Sequence, residues 1–107
     1  MKTNTNNIVS IIVPCYNESD YILHFLKNIE CQSLPFTTEL IIIDGGSTDG
    51  TINILNNYKT KKFKFKLLKH NQKFVPISLN IGILSAEGDI IIRLDVHTIY
   101  DENYILN

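Results

Sequence analysis

Apolar positions fall into short runs separated by polar, helix-forming stretches. Residues 8–13 (IVSIIV) are β-branched and almost wholly apolar, and Pro14 stops the run. A run of this kind predicts a buried strand of a parallel sheet. Residues 39–43 (ELIII) and 89–94 (DIIIRL) read the same way. Between the first two runs, Ile22, Phe25, Leu26 and Ile29 recur at i, i+3, i+4 and i+7. That spacing predicts an amphipathic helix from a cap at Ser19 or Asp20 to about Gln32. Phe63, Phe65 and Leu67 alternate with Lys64 and Lys66, which predicts a half-exposed strand. Lysines along such a strand read as a solvated edge that discourages edge-to-edge pairing. Two shorter helices are expected. One starts at Asp49 or Thr51 and runs to about Tyr58. The other covers 77–86 behind Pro76, with Ile77, Ile81 and Leu84 on one face. A last helix start falls at Asp101-Glu102.

The predicted order is βαβαβαβ. Strands alternating with helices imply an α/β fold: a Rossmann-like parallel sheet with helices on both faces, joined by right-handed crossovers. Ligands of such sheets bind at the carboxyl ends of the strands. Three of those ends carry unusual polar residues: Pro14-Cys15-Tyr16-Asn17-Glu18, Asp44-Gly45-Gly46-Ser47-Thr48-Asp49-Gly50, and Asp95-Val96-His97.

Composition narrows the function classes. The chain has 107 residues, is 44% hydrophobic and 20% charged, and reads as a single soluble domain. A net charge of −1 excludes a nucleic-acid binder that works by bulk electrostatics. Cys15 and Cys31 make no disulfide framework or Cys-x-x-Cys pair and are expected as reduced thiols. The start MKTNTNN is polar, and the apolar run behind it is too short for a signal-peptide core or a membrane span. A cytoplasmic location is expected.

The loop at 44–50 is neither a dinucleotide-binding fingerprint, nor a phosphate-binding P-loop, nor an EF-hand. It offers Asp44 as an acceptor for a base or ribose. Gly45 and Gly46 allow a ligand close to the backbone. It also reads as a plain turn in which Asp49 caps the next helix. In extended backbone Asp95 and His97, at i and i+2, would share a face. A carboxylate and an imidazole together suit a divalent cation that takes its other ligands from phosphate and water.

The ordered segments SIIVPCYNE, ELIIIDGGSTDGT and SLNIGILSAEGDIIIRLDVH resemble the N-terminal half of a family 2 glycosyltransferase with the GT-A fold. The resemblance implies a nucleotide-sugar site, with a UDP-sugar as the expected donor. In it, Pro14, Tyr16 and Glu18 surround the nucleotide, Asp44 meets the base, and Gly46, Ser47 and Asp49 lie beside it. Asp95 and His97 match the first and third positions of the family's D-x-D metal motif, which takes Mn²⁺ or Mg²⁺. The implied reaction is an inverting displacement onto a glycan or lipid-linked acceptor, in polysaccharide biosynthesis. Two positions depart from the pattern. His97 replaces Asp, which favours Mn²⁺ over Mg²⁺. Leu79 stands where many members carry an arginine that could meet the diphosphate, and Lys73 is the residue that could compensate.

Family members of this fold are longer than this chain. The resemblance therefore implies a donor half, with the acceptor site and general base beyond Asn107. It also implies an apolar face through which two copies could pair. Two other readings fit fewer of the residues. One is a non-catalytic nucleotide-binding module. The other is a haloacid dehalogenase-type phosphotransferase, whose D-x-D-x-T motif would follow the first strand, whereas Asp95-Val96-His97-Thr98 follows the fourth.

Overall fold

The computed structural model describes residues 8–34, 37–101 and 103–105. Seven elements follow in the expected order: β1 (Ile8–Cys15), α1 (Ile22–Glu30), β2 (Thr37–Asp44), α2 (Thr51–Asn56), β3 (Lys64–Lys69), α3 (Val75–Ser85) and β4 (Ile90–Arg93). The strands form one parallel sheet in the order β3-β2-β1-β4. The β1–β2 ladder runs from Ile8 opposite Thr37 to Cys15 opposite Asp44.

Alternation along these two strands sorts their side chains onto two faces. Val9, Ile11, Val13, Leu40 and Ile42 pack with Ile22, Phe25, Leu26 and Ile29 of α1 and Leu55 of α2. Ile12, Ile41 and Ile43 face the other way and meet Leu79 and Ile81 of α3. Both faces are covered, which explains the lack of polar interruptions in the central strands.

Four local expectations need correction. Neither Ser19 nor Asp20 caps α1: Tyr21 holds that position without a side-chain hydrogen bond. On α3, Leu84 is 87% exposed, and the buried positions are Ser78 and Gly82. The reason is the close approach of helix to sheet, since a Cβ on Gly82 would lie 2.6 Å from Ile12 Cγ2. Ile90 and Ile91 are each 46% exposed, because β4 pairs only with β1 among the described residues. At Asp101 the chain turns instead of starting a helix, with the Asn103 amide donating to Asp101 Oδ1 at 2.9 Å; Glu102 lies outside the described residues.

One polar cluster is built into the α3 face. Glu39, only 2% exposed, accepts hydrogen bonds from Ser10 Oγ at 2.6 Å and the Glu87 amide at 2.7 Å. Lys66 Nζ lies 3.1 Å from its other oxygen. Ser10 Oγ in turn accepts from the Gly88 amide at 2.8 Å. The cluster thus ties β1, β2 and β3 to the connection that leads into β4.

Burial pushes the Glu39 carboxyl up, but the Ser10 hydroxyl, the Glu87 amide and Lys66 outweigh it and hold the group below its ordinary range. A carboxyl whose pKa is lowered by folding stabilises the fold above its unfolded value, about 4.3, and loses that contribution as pH falls. Glu39→Gln is therefore expected to cost about 3 kcal/mol at neutral pH. In urea titrations at several pH values, the gap between wild type and E39Q should close as pH drops below about 4. A gap that stays constant would remove the cluster from the pH-dependent stability.

Candidate functional site

Cys15 and Asp44 end β1 and β2 on the same rung, so the loops after them start side by side. The Gly45 amide donates to the Cys15 carbonyl at 2.9 Å and extends the ladder by one bond. Asp44 is 1% exposed. Its carboxylate accepts from the Gly46 amide (2.9 Å), the Ser47 amide (2.7 Å) and the Ser47 hydroxyl (2.5 Å). Gly46 turns at φ 106°, a left-handed conformation that glycine adopts without steric cost.

The loop so shaped clasps its neighbour. The Asn17 amide donates to Ser47 Oγ at 2.8 Å, and the Thr48 amide donates to Asn17 Oδ1 at 2.7 Å. The Glu18 amide donates to Thr51 Oγ1 at 2.9 Å, and the Ser19 amide to Asp49 Oδ2 at 3.1 Å. Asp49 Oδ1 accepts from both the amide and the hydroxyl of Thr51. The Thr51 hydroxyl is the main reason the Asp49 carboxyl sits well below its usual range.

Beyond these loops lies a groove of about 320 Å³, lined by Pro14, Tyr16, Glu18, Lys73, Asp95 and His97 among others. Four of its charged or titratable groups are paired. His97 Nε2 is 3.1 Å from Glu18 Oε2, and Arg93 Nη2 is 3.3 Å from Asp95 Oδ1. Tyr21 meets the His97 ring edge to face at 4.9 Å. Burial raises the Glu18 carboxyl; His97 pulls it back down and Asp49 adds to the rise. Cys15 also lines the groove, and burial, followed by Asp44, raises its thiol far enough to keep it inert.

Six of the residues singled out in the sequence therefore converge on one groove: Pro14, Tyr16, Glu18, Lys73, Asp95 and His97. Asp44, Gly46, Ser47 and Asp49 are not among its lining residues; their loop is hydrogen-bonded to the segment that carries Glu18. The backbone at Asp95–His97 is not extended: Val96 and His97 lie in a turn whose Thr98 amide donates to the Asp95 carbonyl at 3.3 Å. Asp95 and His97 therefore do not share a face by strand alternation, as an extended backbone would have required. Among the described residues, no three His, Cys, Asp or Glu side chains gather closely enough to form a metal cluster alone.

Sequence reasoning missed Asn17, Tyr21 and Arg93. Asn17 takes φ 50° and bridges the two loops. Asparagine's tolerance of the left-handed region was the available signal. Nothing in the local sequence marks Tyr21 or Arg93, whose roles arise only when the turn after β4 comes beside the β1 loop.

In open parallel α/β sheets ligands bind at the carboxyl edge, which is where this groove lies. Residues 10–107 match glycosyl transferase family 2, and the chain belongs to that family. It is 30% identical over 104 residues to the succinoglycan biosynthesis protein ExoA of Rhizobium meliloti, covering 95% of this chain and 31% of that protein. The Staphylococcus aureus TarS 1–349 structure in complex with UDP superposes with a TM-score of 0.81 at 27% identity, covering 92% of this chain and 30% of that one. A mannosyltransferase from Pyrobaculum calidifontis in complex with GDP-Man and Mn²⁺ gives 0.80 at 28% identity, over 86% and 28% of the two chains. The chain thus spans about a third of the length of these relatives, and the shared architecture is the GT-A fold.

Asp49→Ala should loosen the wall without unfolding the sheet. We expect a loss of about 1 kcal/mol, because the bonds it makes are charge-assisted but solvent-exposed. Amide exchange should speed up at Ser19 and Thr51 and stay unchanged in β1 and β2. Uniform acceleration throughout the sheet would show that the two loops are not a separate unit.

Proposed function

We propose that the chain is the nucleotide-sugar donor half of a glycosyltransferase. The whole protein would transfer a sugar, with inversion, from a UDP-sugar to a glycan or lipid-linked acceptor in polysaccharide biosynthesis, on the cytoplasmic side. The observation that carries this reading is the convergence of Tyr16, Glu18, Lys73, Asp95 and His97 on one groove at the carboxyl edge. Tyr16 offers an aromatic surface for a base. Lys73 offers positive charge for phosphates. The buried Asp44 and its loop keep this wall in place for the base. Acceptor contacts and the general base are assigned to residues outside this chain, whose relatives are about three times as long. Ile90, Ile91 and Leu84 supply exposed apolar surface through which two copies could pair.

The donor set fits a divalent ion of the kind the reading requires. Asp95 and His97 contribute one carboxylate and one imidazole, a set that suits Mn²⁺ better than Mg²⁺. Both are exposed enough to change partners: the Arg93–Asp95 pair is 50% and 55% exposed, and His97 is 62% exposed. Exposed ion pairs of this kind hold each other by about 1 kcal/mol or less. A bound ion would neutralise charge on the departing diphosphate. The chain's own residues orient the donor: the clasped loops fix Glu18, and the turn after β4 fixes Asp95.

Calorimetry with UDP tests the reading. Wild type should bind UDP measurably more tightly with Mn²⁺ than without it. Asp95→Ala should lose that increment and keep the metal-free binding. Equal affinity with and without Mn²⁺ in wild type would overturn the metal assignment, and no binding of any nucleoside diphosphate would overturn the donor site.

A further inference from the structure

Lys73 stands apart among the charges of the groove. Glu18 faces His97 and Arg93 faces Asp95, so those four are engaged with one another. Among the described residues lining the groove, Lys73 is the cation with no carboxylate at ion-pair distance. Its Nζ lies instead over the Tyr16 ring, 5.5 Å from the centroid. An ammonium over an aromatic face is held weakly at an exposed site.

The backbone beneath it is fixed. Lys73 has φ 66°, a left-handed conformation uncommon outside glycine. Its amide donates to the Gly45 carbonyl at 3.1 Å, and the His70 amide donates to the Asp44 carbonyl at 2.9 Å. A Cβ on Gly45 would come within 3.1 Å of Lys73 Cα, so the turn is pressed onto the loop that Asp44 organises. The lysine is thus an exposed side chain on an anchored base. The anchor itself belongs to the wall of the groove.

We propose that Lys73 exchanges partners when ligand enters. Without ligand its ammonium covers Tyr16. With a nucleoside diphosphate bound, the ammonium moves to the phosphate oxygens and leaves the ring face free for the base. One residue then supplies charge to the diphosphate and guards the aromatic surface until a phosphorylated ligand arrives. The device favours nucleotides over nucleosides: a nucleoside must displace Lys73 from the ring with nothing to offer its charge. The inference rests on reading the groove as a donor site.

Lys73→Met keeps the length of the stem and the same backbone demand while removing the charge. Calorimetry at fixed Mn²⁺ should show UDP binding weakened roughly tenfold or more in K73M. Uridine binding should be unchanged or tightened by up to about fivefold, since its competitor for Tyr16 is gone. UDP bound equally by wild type and K73M, or both ligands weakened alike, overturns the inference and leaves the donor site standing. If wild type binds neither ligand nor the guanine counterparts, the donor reading falls and the inference falls with it. A second measurement needs no variant: titrating inorganic pyrophosphate into wild type should shift the Tyr16 ring resonances as Lys73 departs. Resonances unmoved at saturation overturn the exchange.

Discussion

The last rung of the β1–β2 ladder sets Cys15 beside Asp44, and the geometry of the groove descends from that pairing. Parallel strands leave the sheet in the same direction, so aligned ends deliver two loops to one place. A slip of one residue would turn every side chain of a strand to the opposite face. Here it would also separate Asn17 from Ser47 and Ser19 from Asp49. The Asp44 carboxylate then fixes the second loop from within. A buried carboxylate is tolerable only when its oxygens are well supplied with hydrogen bonds. Asp44 receives three, all from the loop it organises. The cost of burying the charge is thereby converted into a rigid turn.

The other wall depends on the opposite end of the sheet. The Glu39 cluster holds the α3–β4 connection through the Glu87 and Gly88 amides. β4 follows directly, and four residues of pairing with β1 carry the chain to Asp95. Beyond it, the Asp95 amide donates to the Tyr100 hydroxyl at 2.9 Å, and Tyr100 is held to α1 by both ends of the Asn28 amide. Asp95 and His97 therefore sit on a turn held by the sheet on one side and by a helix on the other. That is how an edge strand with exposed isoleucines still positions chemistry.

Much of this was legible in the chain and some was not, for physical reasons. The central strands announce themselves because both faces are buried, which demands unbroken β-branched runs. α1 does so because only one of its faces is buried, which imposes the 3.6-residue period on Ile22, Phe25, Leu26 and Ile29. α3 misleads. Its buried positions are Ser78 and Gly82, chosen for small size so that the backbone can reach Ile12. A hydrophobic period cannot report a face selected for the absence of side chain. The groove residues were visible as polar exceptions at strand ends, but their pairings were not. Glu18 with His97 spans 79 positions of sequence, and only the order β2-β1-β4 brings them together.

The ionic pairs across the groove also bear on how the proposed donor site can carry two carboxylates. Glu18 and Asp95 would repel a diphosphate if left bare. Each lies within 3.3 Å of a positive or protonatable partner. The Arg93–Asp95 contact is about half exposed on both sides and is exchanged at small cost, whereas Glu18 is only 13% exposed. The Glu39–Lys66 contact, on the buried face, is not exchangeable in that way, since removing Lys66 would leave a carboxylate that is only 2% exposed without its cation. The same residue types thus divide by depth. Buried Glu39 and Asp44 hold the sheet and its loops in register, while the half-exposed Asp95 lines the groove.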